Sequence, residues 1–228
     1  MEVAVPSTKL GTPGLWARWF AAALLAFALW IALDLAVPAP HDLRDFDGHE
    51  VGALETRMWR SYYDHHAVRL FTELTAVLRK QFHFPLWRSC LGAYYAAKAA
   101  VVFQAGHQRP DYLRALPDLE RYYALIRQGS QAAFDDKKAA ALELEWWIIH
   151  RQRAQHPPGD LEESLAALQA EIYQRPATAF TAHAHARAEA MLIRDEKAES
   201  GGVSEADWHR IAGLLDQSWV SLQQTVQR

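Results

Sequence analysis

Eleven histidines in 228 residues invite a search for metal-ligand spacings. Metal sites in helix bundles combine carboxylates with Glu-x-x-His pairs on facing helices, and no Glu-x-x-His occurs in this chain. Looser arrangements do occur. Glu55, Trp59, Tyr62 and His66 share one helical face, because eleven residues bring the angle back to within about 20°. Their polar ends stand about 16 Å apart along the axis, too far to share an ion. Glu143, Trp147 and His150 repeat the arrangement with a separation of about 10 Å. His185 and Glu189 are four apart, roughly 6 Å in rise, and can reach one metal. A dimetal site of iron or manganese built from Glu55, Glu143, His150, His185 and Glu189 therefore requires three helices to converge. Otherwise these groups are hydrogen-bonding partners across helix interfaces.

His65-His66, beside Tyr62, Tyr63 and Asp64, form the densest polar–aromatic cluster and suit either a near-neutral proton relay or the rim of a helix interface. The chain has no Gly-rich phosphate loop, no Gly-x-Ser-x-Gly and no His-Glu-x-x-His, so the short motifs that announce common enzymes are missing. Cys90, the one cysteine, excludes an internal disulfide and multi-cysteine metal sites. Among Leu86, Trp87 and Leu91 it reads as a small apolar residue.

Adjacent aromatic pairs are the other unusual feature: Tyr62-Tyr63, Tyr94-Tyr95, Tyr122-Tyr123 and Trp146-Trp147. Neighbours on a helix diverge by about 100°, so one ring of a pair can pack inward while the other meets a partner. Tyrosine suits such a surface because its body is apolar and its tip tolerates water. The six tyrosines are accordingly candidate partner-binding residues. The rival reading places both members of each pair in internal packing.

The elements that must position these residues are helices. Half the residues are hydrophobic and 22% are charged, enough for a sizeable core and too apolar for general disorder. A net charge of −3 gives no overall basic footprint for nucleic acid. From Trp19 to Leu33 no side chain is charged, and extension to 15–37 gives a span of about 34 Å. Arg18 and Asp34 then fall near the ends, where they reach headgroups, and Trp16, Trp19 and Trp30 occupy interfacial positions. Val37-Pro38-Ala39 resembles a signal-peptide cleavage site, and Pro40 directly after it disfavours cleavage. Arg18 at the edge favours a cytoplasmic amino terminus, which puts the rest of the chain on the periplasmic side of a bacterial inner membrane.

The expected organisation is a flexible tail over 1–14, an anchor over 15–37, a linker over 38–48 and an all-helical soluble domain over 49–228. In that domain the pattern predicts one long helix over 49–82, carried by a stripe from Trp59 to Leu78. Three helical hairpins follow, over 86–128, 136–173 and 177–224. Asp135 or Asp136, Asp160 and Ser204 are candidate N-caps, the last two with acidic residues at the third helical position. Trp146-Trp147-Ile148-Ile149 covers most of a helix circumference and belongs centrally. The hairpin spacing is uneven, which fits an irregular bundle or a short α-solenoid. The expected function is that of a membrane-anchored, non-enzymatic protein docking a protein partner, with no cofactor. A membrane-attached metalloenzyme is the alternative.

Overall fold

Residues 14–37, 40–130 and 132–228 are described by a computed structural model. The tail expected over 1–14 therefore lies, except for Gly14, outside the described residues. The chain divides into two units, 1–37 and 38–228.

The first unit is helix α1, Leu15–Ala36. Its 22 residues rise about 33 Å, enough to cross a hydrocarbon core. None of its apolar window is buried within the chain. Leu, Phe, Trp and Ala line it all round.

In the second unit no strand forms among the described residues. Helix α2, Gly48–Tyr63, starts where the Asp47 carboxylate accepts hydrogen bonds from the backbone N–H groups of His49 and Glu50. Helix α3, Ala67–Gln81, follows after a sharp turn. The single helix expected over 49–82 is thus two. His65 adopts a left-handed backbone (φ 57°) and the His66 N–H reaches back to the Ser61 carbonyl at 2.9 Å. The apolar stripe runs on across the break in sequence, so periodicity alone did not register the turn.

Helix α4 spans Leu86–Gln104, α5 Arg109–Tyr112 and α6 Leu116–Ser130, with a 3₁₀ turn between the last two. Helix α7, Asp136–Arg151, is capped by the Asp135 carboxylate, which accepts from the N–H groups of Lys137 and Lys138. Helix α8 spans Asp160–Tyr173. Here the N-cap is Gly159, at φ 100°, and not Asp160, which is the first helical residue and meets His156 Nδ1 at 3.2 Å. A 3₁₀ turn over Ala177–Phe180 leads into α9, Thr181–Glu199. Ser204 and Asp207 form the expected capping box for α10, Glu205–Val226.

The helices pair as α2–α3, α4–α6, α7–α8 and α9–α10, each pair packs on the next, and α10 returns to α2. That closing contact makes a ring and distinguishes the domain from an open solenoid, whose ends stay apart. Glycine permits the closure. A Cβ on Gly48 would stand 2.8 Å from backbone atoms of Trp219 and Val220, and one on Gly52 would stand 3.0 Å from Asp216 Cα. Phe134, Phe180, Leu119, Ile148, Ile211 and Leu215 are among the fully buried side chains that fill the ring.

The linker expected over 38–48 is docked on the domain from His41 onward. The His41 N–H donates to the Gly129 carbonyl at 3.1 Å, and Gln227 Nε2 donates to the Arg44 carbonyl at 2.8 Å. Leu43 and Phe46 are buried, Phe46 edge-on to Trp219.

Candidate functional site

Two copies of one local pattern, Glu-x-x-x-Trp, meet inside the ring. On α2 and α7 a carboxylate and an indole four residues later lie on one face. Trp59 Nε1 donates to Glu55 Oε1 at 3.2 Å, and Trp147 Nε1 donates to Glu143 Oε1 at 2.9 Å. Each indole thereby fixes the rotamer of its own carboxylate. Both acids then face Arg187 of α9.

Arg187 holds Glu55 with both guanidinium arms, at 2.6 Å and 2.7 Å. This planar fork is the geometry in which arginine pairs most strongly with a carboxylate. Trp219 Nε1 of α10 also donates to Glu55. Three indoles wall the guanidinium, Trp59 and Trp219 at 5.9 Å and Trp146 at 6.0 Å from ring centroids, within cation–π range. Only 15% of the Arg187 side chain and 4% of the Glu55 side chain are accessible. Burial opposes the charge on Arg187, but Glu55 and then Glu143 outweigh it and raise its pKa above the ordinary value.

Glu143 is held differently. Tyr123 donates its hydroxyl to Oε2 at 2.9 Å. The Trp146 N–H and Arg187 act on the carboxylate through space, the former without a well-formed hydrogen bond. Burial outweighs these contacts and pushes the Glu143 carboxyl up. The same burial, with Glu143 nearby, pushes up both Tyr122 and Tyr123. His183, one turn before Arg187, is 1% exposed and binds Ser218 of α10, its Nδ1 lying 3.0 Å from the Ser218 carbonyl. Burial first, then Arg187, pulls its pKa down to about 3, so the ring is neutral.

Of the five residues considered as metal ligands, Glu55 and Glu143 are brought around one cation. The others go elsewhere. His150 Nε2 lies 3.1 Å from Asp195, which also receives Arg153 and Arg194 at 3.1 Å and 3.0 Å. His185 meets Glu162 at 3.0 Å on the surface, and Glu189 meets Arg210 at 2.8 Å. Among the described residues no three His, Cys, Asp or Glu side chains are grouped to hold a metal ion.

The tyrosine pairs divide unevenly. Tyr62 and Tyr94 are exposed, while Tyr63 and Tyr95 are half-buried beside them. Arg194 stacks over the Tyr63 ring, and burial pushes the Tyr63 hydroxyl up to about 12. Tyr123 is buried and Tyr122 is half-buried against the core. His65 and His66 are both exposed at the α2–α3 turn.

Sequence reasoning overlooked Arg187. Its signal was a lone cation amid the alanines of α9, opposite two Glu-x-x-x-Trp faces that each lacked a partner. The arrangement ties α2, α6, α7, α9 and α10 in one register through a single guanidinium. Comparison with family models, curated proteins and solved structures finds no match for the chain.

Proposed function

We propose that the chain is a single-pass membrane-anchored helical protein that docks a protein partner, as an accessory or assembly subunit of a membrane complex. Helix α1 is the anchor, and the domain over 40–228 stands on the periplasmic side of a bacterial inner membrane. Arg18 at the edge of the span supports that orientation.

One observation carries the docking reading. Among the described residues of the domain, the exposed large hydrophobic side chains are Tyr62, Val68, Phe71, Tyr94, Val101, Leu113 and Leu192. Four of the seven lie on the α3–α4 hairpin, Val68 and Phe71 on α3 and Tyr94 and Val101 on α4, while Tyr62 stands near the end of α2 and Leu113 in the 3₁₀ turn after α5. Scattered exposed hydrophobics need no explanation, whereas a cluster on one face marks an interaction site. Val68 is 84% exposed and Val101 65%, so neither contributes much to the core.

Tyr94→Ala and Val101→Ser should therefore leave stability within about 0.5 kcal/mol of the parent, as surface substitutions do. Both should lose co-purifying membrane partners, because truncating an interface hot spot costs about 2 kcal/mol or more of binding. Tyr123→Ala should instead unfold the domain readily, leaving Glu143 short of a donor. Retention of every partner by both surface variants would remove the support for docking.

A further inference from the structure

We infer that the α3–α4 face accepts an amphipathic helix whose apolar stripe is flanked by carboxylates; this rests on the docking reading above. The two helices form a hairpin, with Leu78 of α3 close against Gly92 of α4. Each presents an outward row. On α4, Tyr94, Lys98 and Val101 are spaced i, i+4, i+7, and on α3, Val68 and Phe71 are spaced i, i+3. Two adjacent helices with exposed apolar rows offer the groove into which a third helix packs.

The charge around that groove selects the partner. Between residues 57 and 121 the chain carries ten Lys and Arg against five Asp and Glu, although its overall charge is −3. Of those ten cations, Arg60, Lys80 and Arg109 are matched by Glu205, Glu50 and Glu145 from outside the stretch, and Arg88 is buried, so the surplus that an approaching surface meets lies with the others. Lys98 and Arg121 both point to one Asp118 oxygen, each at 3.0 Å, and Arg69 pairs with Glu73. Asp118 and Glu73 are buried while the three cations are exposed. Arg114, beside Leu113, is exposed and no acidic group among the described residues pairs with it. An approaching surface therefore meets cations around an apolar centre, and carboxylates complement it.

An anionic bilayer shares the negative charge but fits the stripe less well. Lys98 sits between Tyr94 and Val101, tied to Asp118, so insertion into acyl chains would bury that ion pair. A helix can set its own carboxylate against Lys98 while its apolar side chains meet the flanking residues.

The test uses the full chain in its native membranes, with the photo-crosslinking residue p-benzoylphenylalanine in place of Val101 and, as control, of the exposed Gln217 on α10. Mass spectrometry reads the sequence of the crosslinked segment. The expected product is a peptide with a helical apolar stripe in which Asp and Glu outnumber Lys and Arg. Its yield should fall about fivefold when Arg114→Gln and Arg121→Gln are combined, because two exposed ion pairs are lost while Lys98 still holds Asp118. Melting of that double variant should match the parent. A neutral or basic segment, or a yield unmoved by the two neutralisations, overturns the charge inference and leaves docking intact. Lipid adducts, or no adduct above the Gln217 control, overturn docking itself.

Discussion

Arg187→Met is expected to lower the stability of the domain by about 3–5 kcal/mol, because it leaves Glu55 buried without its cation. For a domain of this size that corresponds to a fall in Tm of roughly 6–20 °C. The loss comes less from the attraction between the pair than from the stranded carboxylate. Trp59 and Trp219 alone then face a charge that water cannot reach. Adding Glu55→Gln should restore part of the loss, since the amide oxygen still accepts from one of the two indoles and the side chain brings no charge to be compensated. Thermal melts of the single and double variants measure this coupling directly. A single variant melting within about 2 °C of the parent would mean that Arg187 does not organise the ring.

Acid should destabilise the domain through His183. Its folded pKa of about 3 lies below the ordinary 6.5, so below pH 6.5 the unfolded chain takes up a proton that the folded chain refuses. The contribution is complete above the unfolded value. It is lost at about 1.4 kcal/mol per pH unit as pH falls toward the folded one. At 1% exposure solvent screens this little. Asp195, whose pKa is lowered because His150, Arg194 and Arg153 outweigh its burial, adds stability that also disappears as pH falls through its folded value. Glu143 acts with the opposite sign, since a raised carboxyl favours the fold at low pH and loses that advantage as pH rises through its folded value. The His183 part is isolated by subtracting the pH profile of His183→Gln from that of the parent. Equal acid slopes in the two proteins would contradict the assignment.

What the sequence revealed and what it concealed follow from the range of the forces involved. Caps are local: Asp135 and the Ser204–Asp207 box act within one turn, and both lie where their spacing placed them. The break at His65 escaped notice because apolar residues at helical spacing occur on both sides of it, and a left-handed histidine has no strong local signature. Asp160 was misplaced by one position because Gly159 supplies the turn that a capping side chain would otherwise favour. The ring depends on α2 and α10, which are far apart in the chain, and on glycines whose need for close contact appears only when the helices cross. The site was half legible. Both Glu-x-x-x-Trp faces stood out, but the cation between them comes from a third helix more than 40 residues beyond Glu143.

The proposal that Leu15–Ala36 holds the domain on a membrane is tested most directly by intact mass of the protein in membranes washed with alkaline carbonate. That treatment strips peripheral proteins and leaves spanning ones. The full chain, with residues 1–37 still attached, should remain in the pellet. A chain beginning near Pro40, or full-length protein released to the supernatant, would contradict the anchor and with it the account of a membrane-held docking domain.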